Sequence, residues 1–374
     1  MKKVLLIAPY TYLPFYSGGQ KLIARFAEHL GKYTDLTVIG TADNDTALAK
    51  NYTVLCWLKK SFLRYVDFSL TKKISLLIEE KKIDTLLCEH PYMAWLAFQI
   101  KKKTGVKVII HTHNIEYQRF RTMGRWWWPL LRIYERWAFK KADHLFFITQ
   151  EDKEFAISGW HIDPQKTIAL PFGIEINSYP TDRESCRLRI AQKHGIGDDE
   201  TILLFNGLLG YQPNLDALKI ILTKINPLLL ANASFKYKII ICGKGLPEKM
   251  NSLKEYASKN IINAGFVDDI ESYFKAAAIF LNPVQSGGGI KTKMVEAIGY
   301  GTTVVATETG AAGIDRVTCN NKLIIVSNGD WIGFANVVMK NARNTDKTSE
   351  NYYSRYNWDE IISKIFELPE AKFF

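Results

Sequence analysis

What most constrains this chain is an alternation that runs its whole length: short, wholly apolar, β-rich runs separated by amphipathic stretches of helical period. Strands are expected at Lys3–Ala8, Leu36–Ile39, Thr53–Trp57, Thr85–Cys88, Lys107–His111 and His144–Ile148. A second set is expected at Thr201–Phe205, Lys238–Cys242, Ile261–Ala264, Ile279–Asn282, Thr303–Ala306 and Leu323–Val326. Helical patterns such as Gln20–Leu30, Leu70–Glu80 and Asn214–Leu230 lie between them. Strands apolar on both faces that alternate with helices predict an α/β fold with parallel sheets covered on both sides. Six strands in each half predict two doubly wound domains, residues 1–172 and 173–352, joined near Leu170–Gly173 or in the polar stretch Asn177–Glu184. The remainder, 353–374, carries an amphipathic pattern at Trp358–Leu368, expected to form a helix that crosses back to the first domain.

A chain of 374 residues, 47% apolar and 23% charged, has ordinary globular composition and room for two cores, which excludes a disordered or fibrous protein. No apolar run approaches the ~18 residues that a membrane-spanning helix needs. The apolar start Val4–Ala8 is interrupted by Pro9, Tyr10, Tyr12 and Pro14, with no small-residue cleavage pattern after it, so it reads as a strand rather than a secretion signal. The five cysteines (Cys56, Cys88, Cys186, Cys242, Cys319) are scattered without a CxxC pair. They fit reduced thiols in a cytoplasmic protein, and neither a disulfide framework nor a zinc site. Net charge is +11 and unevenly spread: residues 1–172 hold 26 Lys and Arg against 16 Asp and Glu, whereas 173–374 hold 23 against 22. A positive field over one domain concentrates anionic partners. No nucleic-acid-binding motif accompanies it, so nucleic acid is not an expected partner.

In doubly wound sheets ligands bind beyond the carboxyl ends of the strands, where glycines allow close backbone approach and helix N-termini favour anions. Ser17-Gly18-Gly19-Gln20 lies in such a place, between the first strand and first helix, and reads either as a ligand loop or as a plain turn. It is not GxGxxG, and no GxxxxGK[ST] occurs anywhere, which argues against nicotinamide, flavin and P-loop sites.

The strongest local pattern is Asn282-Pro283-Val284-Gln285-Ser286-Gly287-Gly288-Gly289-Ile290-Lys291-Thr292-Lys293-Met294-Val295-Glu296. A strand ends near Asn282, three glycines follow, and a helix is expected from Ile290, placing Lys291 and Lys293 in its first turn. Cations there oppose the helix dipole by about 0.3–1 kcal/mol each. The arrangement makes sense if an anion sits at the helix N-terminus, held by the loop amides and both lysines, and a diphosphate matches that charge. Glu296, further along, is placed to accept hydrogen bonds from vicinal hydroxyls such as a ribose. The alternative is a solvated lysine pair on an ordinary surface helix. Gly299–Gly301, Thr309–Gly313 and Cys242-Gly243-Lys244-Gly245 add small-residue turns near other strand ends.

In order along the chain, Gly18-Gly19, His113-Asn114, Asp143, Asn206-Gly207, Pro213–Ala217, Gly243–Gly245, Gly265-Phe266-Val267-Asp268-Asp269 and Gly287–Gly313 resemble the retaining glycosyltransferases of family 4, group 1. The resemblance implies the GT-B fold, two Rossmann-like domains facing a central cleft, with the nucleotide-sugar on the C-terminal domain and the acceptor on the N-terminal one. It implies no metal or other cofactor. By position, Glu296 matches the second glutamate of the EX7E motif, and Gly18-Gly19 the loop facing the donor phosphates. His113 matches a histidine pointing to the transferred sugar, and the Gly265–Asp268 loop, with Val267, would cradle the base through its backbone. Asn206, Gly207, Lys244, Gly287, Gly288, Gly289 and Ile290 fall on the donor side. Two departures stand out. The first EX7E glutamate is Gly288 here, and the Arg and Lys expected after the first C-domain strand are replaced by Asn206–Tyr211. The Gly-rich IKxK pattern resembles a subgroup in which Lys291 and Lys293 take over those charges.

On the acceptor side, His111 and His113 alternate at a strand end, so one of them can be a plain core histidine; Glu89-His90 ends another strand, as pocket lining or ordinary loop. The stretch from Arg119 to Trp137, with Arg121, Arg125, Trp126 and Trp127, is aromatic and basic together. Such composition suits an anionic membrane interface, though parts of it must pack a helix into the core. The expected protein is a metal-independent retaining transferase at the inner face of the cell membrane, moving a hexose-type sugar onto a lipid-linked or surface glycan. The competing expectation is a nucleotide-sugar-binding protein that has lost transfer, with Gly288 as the lesion.

Overall fold

The computed structural model describes residues 1–367 and 373. The strands β1 (Lys2–Ile7), β2 (Thr34–Thr41), β3 (Thr53–Leu58), β4 (Thr85–Glu89), β5 (Lys107–Thr112), β6 (His144–Phe147) and β7 (Thr167–Ala169) form one parallel sheet, in the order β3-β2-β1-β4-β5-β6-β7. β8 (Thr201–Asn206), β9 (Tyr237–Cys242), β10 (Ile261–Gly265), β11 (Ile279–Asn282), β12 (Thr303–Thr307) and β13 (Leu323–Val326) form a second, in the order β10-β9-β8-β11-β12-β13. The expected α/β architecture with two doubly wound sheets is therefore present. The apolar runs become strands because helices cover both faces: Val4, Leu5, Leu6 and Ile7 are each at most 1% exposed. Leu203, Phe205, Ile239, Ile241, Ile279, Leu281 and Val305 pack in the core of the second sheet. β7, which the sequence does not announce, has three residues at the sheet edge, two of them only half-buried.

The chain divides into two compact units, one of Met1–Gly173 with the residues from Trp358 on, the other of Ile174–Asn357. The crossing segment expected from 353 begins inside a helix of the second unit, Glu350–Tyr356. Its buried Tyr352 and Tyr353 donate from their hydroxyls to Val295 O (2.7 Å) and Gly299 O (2.8 Å), which anchors it there. The helix Trp358–Glu367 belongs to the first unit, where Trp358 is buried beside Phe172. Asp359 accepts from His29 Nδ1 and Lys32 Nζ, both at 2.7 Å, at the end of the helix Gly18–Leu30. Leu368, the last residue of the expected helix, lies outside the described residues, as do 369–372 and 374.

Each sheet is entered at a central strand and wound outward in both directions, so strand order reverses between β1 and β4 and between β8 and β11. Connections leaving those neighbours go to opposite faces and open a crevice at their carboxyl ends, where ligands of doubly wound sheets sit. Among the described residues no helix is long and apolar enough to cross a membrane.

Candidate functional site

In the second unit, Asn206 and Gly207 leave the sheet at the end of β8, and the glycine-rich segment leaves at the end of β11. The helix expected from Ile290 begins at Thr292 and runs to Gly299; Lys291 is its N-cap, in extended conformation and with no side-chain cap bond. Lys293 alone is thus in the first turn. Gly287 and Gly289 have φ of 90° and 67°, which side-chain-bearing residues rarely adopt. The turn they make wraps the Lys291 ammonium, which donates to the carbonyls of Gly287 (3.1 Å), Gly288 (3.3 Å) and Gly289 (2.8 Å). Here the geometry differs from the expectation of two lysines aimed alike at an anion: Lys291 is committed to organising the loop.

Lys293 reaches across to the end of β8, where Nζ donates to Asn206 O (2.6 Å) and Asn214 Oδ1 (2.9 Å). A Cβ on Gly207 would stand 2.5 Å from that ammonium, so glycine is what leaves room for it. Burial pushes the Lys293 amine down to about 7, with the Lys291 charge adding to the shift, and pushes Lys291 down to about 8. Among the described residues neither ammonium has a carboxylate as hydrogen-bond partner. Asn206 Oδ1 is buried and unpartnered among the described residues. Ile290 is half-buried beside the turn, and Glu296 lies one helical turn beyond Lys293, also half-buried. Lys244, after β9, holds Nζ 5.4 Å from the Phe266 ring, and Val267 follows that ring beyond β10. The crevice therefore gathers an uncapped helix N-terminus, two ammonium groups and a glycine turn, a combination that attracts an anion. Asn214 is the member the sequence reading missed; it lies in the Pro213–Ala217 stretch, but nothing local reveals that it meets Lys293.

In the first unit, the β4–β5 register pairs Glu89 with His111, and His113 lies two residues on, facing the same side. The buried Glu89 carboxylate accepts from His111 Nδ1 (3.1 Å) and His113 Nε2 (2.6 Å). Burial alone would raise the Glu89 carboxyl, but the charge and hydrogen bonds of the two imidazoles prevail and hold it at about 2. Burial, reinforced by the neighbouring His90, pushes His113 down to about 3. Among the described residues this trio alone brings His, Cys, Asp or Glu ligand atoms close enough, within 4.8 Å, to hold a metal ion. In the arrangement present both carboxylate oxygens are taken by imidazole N–H groups, and His111 Nε2 is buried without a hydrogen-bond partner among the described residues.

His90 has a φ of 63°, a strained backbone for a side-chain-bearing residue that costs about 1–3 kcal/mol. Its Nε2 is 2.9 Å from the Tyr10 hydroxyl and its Nδ1 3.1 Å from Glu116. The buried Glu116 also accepts from Arg119 Nε (2.8 Å) and the Tyr92 hydroxyl (2.7 Å). Arg119, expected on the acceptor or membrane surface, thus points inward, because the buried Glu116 needs a counter-charge. Gly18 and Gly19, expected as a loop, form the first turn of the helix Gly18–Leu30, which Ser17 and Gln20 cap reciprocally. A Cβ on Gly19 would stand 3.3 Å from the Tyr10 hydroxyl and 4.0 Å from His113 Nδ1. Gly19 and His113 are therefore neighbours.

Arg121, Arg125 and Trp126 are exposed, Trp126 to 83%, while Trp127 is half-buried with its ring 4.6 Å from Phe120. Leu130 and Ile133 are also exposed, and so is a segment the sequence reading did not single out: Phe62, Leu63, Val66 and Phe68. Trp95 joins the two. Its indole N–H donates to Tyr65 O (2.8 Å), its ring is 4.8 Å from Phe68, and its backbone N–H donates to the Tyr134 hydroxyl (3.1 Å).

Residues 16–178 match the model of Glycosyltransferase Family 4, and residues 200–344 that of Glycosyl transferases group 1. A Klebsiella pneumoniae protein described as an uncharacterized 44.6 kDa protein in the cps region is 23% identical over 314 residues, covering 77% of this chain and 74% of that one. The solved glycosyltransferase of Rickettsia africae superposes with a TM-score of 0.71 at 15% identity, over 98% of this chain and 97% of that one. Anabaena HepE in complex with UDP-glucose gives 0.70 at 17% identity, over 98% and 99%. These likenesses carry the fold, two Rossmann-like sheets of the GT-B kind. With one family matched across the first sheet and its companion across the second, the chain belongs to the group 1, family 4 glycosyltransferases.

Proposed function

We propose that the chain is a retaining hexosyltransferase that needs no metal and acts at the cytoplasmic face of a membrane. Its donor is a nucleoside-diphosphate sugar and its acceptor a lipid-linked or surface glycan, as in capsule or lipopolysaccharide synthesis. The observation that carries this reading is the Lys293 ammonium at the β8/β11 crevice, beside a helix N-terminus without a side-chain cap and, among the described residues, without a hydrogen-bonded carboxylate. A site so arranged, with Glu296 nearby on the same helix, still has room for the negative charge of a substrate. As the sugar–phosphate bond breaks, charge grows on the departing diphosphate. Lys293, the first helical amides and the glycine turn braced by Lys291 neutralise it, which lowers the barrier without a metal. Glu296 receives ribose hydroxyls and the backbone around Val267 the base, with Lys244, Asn206 and Gly207 bordering the same pocket. The acceptor oxygen attacks the face the diphosphate leaves, and its proton passes to a phosphate oxygen. A paired-carboxylate constellation of the hydrolase kind is then unnecessary. The cps-region relative and the UDP-glucose held by the Anabaena protein agree with this substrate class.

A thermal-shift screen against UDP, GDP and their common sugar conjugates tests the reading, since a ligand that binds only the folded state raises the melting temperature in proportion to its affinity. One base series is expected to stabilise the protein, and the Lys293→Ala variant to lose that response. Stabilisation by no member would sink it. One observation favours a second reading, binding without transfer: Gly288 leaves no side chain where the motif has its first glutamate. Donor affinity without product across an acceptor panel would select that reading.

A further inference from the structure

Counting donors tells the two lysines of the second-unit crevice apart. An ammonium has three N–H groups and no acceptor. Lys291 spends all three on the carbonyls of Gly287, Gly288 and Gly289. Lys293 spends two, on Asn206 O and Asn214 Oδ1, and among the described residues the third has no hydrogen-bond partner. That third N–H is left for an anion, and its direction is fixed by the two oxygens that hold the others. Asn206 O is backbone at the end of β8 and comes with the fold. The other oxygen belongs to a side chain. Asn214, in the helix Gln212–Ile220, is 9% exposed, and its amide is held from both ends. Its Nδ2 donates to Leu208 O (2.9 Å), which turns Oδ1 toward Lys293 Nζ (2.9 Å). A reversed amide would set N–H groups against the ammonium and an oxygen against a carbonyl, so the network admits one orientation. Gly207 leaves the space for the pair, since a Cβ there would stand 2.5 Å from Lys293 Nζ and 2.9 Å from Asn214 Nδ2. All of these groups lie in the second unit.

We propose that Asn214 is a positioning residue for the diphosphate: its neutral oxygen steadies the buried Lys293 ammonium and aims the remaining N–H into the crevice without cancelling the positive charge. The inference rests on the transferase reading for its ligand, but the hold of Asn214 on Lys293 does not. Burial works most strongly against the charge of Lys293, Lys291 adds to that, and Glu296 on the same helix opposes it. Against that background an uncharged acceptor favours the ammonium modestly, whereas a carboxylate in its place would consume the charge. Changing Asn214 to an apolar side chain and to an acidic one must therefore move the ionisation of Lys293 in opposite directions, which a residue that only packs would not do.

Asn214→Leu and Asn214→Asp test this. Carbon spectra of protein labelled at lysine Cε follow the ionisation of Lys293, assigned by the signal lost in Lys293→Met. In ligand-free Asn214→Leu the ammonium loses an acceptor, so its titration is expected about one pH unit below that of the unmodified protein. In Asn214→Asp the carboxylate favours the ammonium, so the titration should move up instead. Calorimetry with UDP and GDP reads the consequence for the diphosphate. For whichever binds, Asn214→Leu should lose about tenfold in affinity near pH 7.5, with the decline on raising pH beginning earlier. Asn214→Asp should bind weakly throughout and lose the pH dependence between about pH 6 and 8. A shift of the opposite sign in either variant, or no shift, overturns the proposal, and so does a diphosphate affinity that Asn214→Leu leaves intact. Each variant decides alone, so the loss of one to misfolding leaves the test standing. If neither diphosphate binds the unmodified protein, the transferase reading falls, and the lysine titration of the ligand-free protein still decides the role of Asn214.

Discussion

At the scale of single residues, the two lysines of the second unit look alike in sequence and do different work in space. Lys291 gathers the three glycine carbonyls of its own loop, and Lys293 reaches across to Asn206 O and Asn214 Oδ1 beyond the end of β8, where an anion is expected. Replacing Lys293 by methionine should therefore cost the donor diphosphate about 1.5–3 kcal/mol, or ten- to a hundredfold in affinity, with little effect on the fold. Calorimetry with UDP and GDP measures it. The pH dependence has a definite sign. With its amine pushed down to about 7, Lys293 is charged below that pH and neutral above it in the free protein. An anion binds the charged form, so affinity should be greatest below pH 7 and fall as pH rises, by at most about tenfold per unit, with proton uptake on binding. Lys291, at about 8, adds a second and weaker step, and Glu296 is the acidic group acting on Lys293 from the same helix. Stability of the unliganded fold runs the opposite way. The unfolded chain binds these protons up to the ordinary lysine range, so the free protein should gain stability as pH rises from 7, and Lys293→Met should lose part of that gain in thermal melts.

At the scale of elements, the strands were legible because burial on both faces leaves continuous apolar runs, and only the three-residue edge strand β7 escaped. Helix starts were harder. Ser17 and Gln20 form the S-x-x-Q pattern of a reciprocal cap, which places Gly18-Gly19 inside a helix, yet two glycines read more readily as a turn. At Ile290–Lys291 no side-chain cap marks the start, and what sets it is the Lys291 ammonium gathering three carbonyls, a contact with no local signature. The pairing of Glu89 with His111 depends on the register between β4 and β5, and a single sequence carries no record of it. Arg119 was misplaced for a related reason: its partner Glu116 is three residues away, but that Glu116 is buried follows only from packing. Close approach is also testable at this scale. Gly207→Ala puts a methyl 2.5 Å from Lys293 Nζ and 2.9 Å from Asn214 Nδ2, so it should displace the ammonium and weaken the diphosphate in calorimetry, and lower the urea midpoint as well. Trp358→Ala should instead cost about 3–5 kcal/mol of stability in urea, because it empties the buried seat beside Phe172 and the His29 ring.

At the scale of the whole molecule, the excess of 26 basic over 16 acidic residues in 1–172, against near balance in the rest, is not accounted for by the crevice of Lys291 and Lys293, which lies in the other unit. The exposed Phe62, Leu63, Val66 and Phe68, linked through Trp95 to Tyr134 on the helix that carries the exposed Leu130 and Ile133, give that charge an apolar companion, with Trp126 exposed just before that helix. Apolar side chains immersed at the headgroup boundary, with basic residues around them, produce binding that is strong on anionic lipid, weak on neutral lipid and screened by salt. We therefore expect the protein to co-sediment with phosphatidylglycerol-containing vesicles at low ionic strength, to bind pure phosphatidylcholine poorly, and to come off as salt rises past ~0.3 M. Each arginine near such a surface contributes about 1 kcal/mol. Arg121→Gln with Arg125→Gln should then weaken vesicle binding about thirtyfold, and Phe62→Ser with Trp126→Ser should weaken it on either lipid. All four residues lie outside the two crevices, so neither pair should alter calorimetric affinity for nucleotide-sugars. Equal partitioning onto neutral and anionic vesicles, or binding indifferent to salt, would mean that the charge of the first unit serves some purpose other than holding the protein against a membrane.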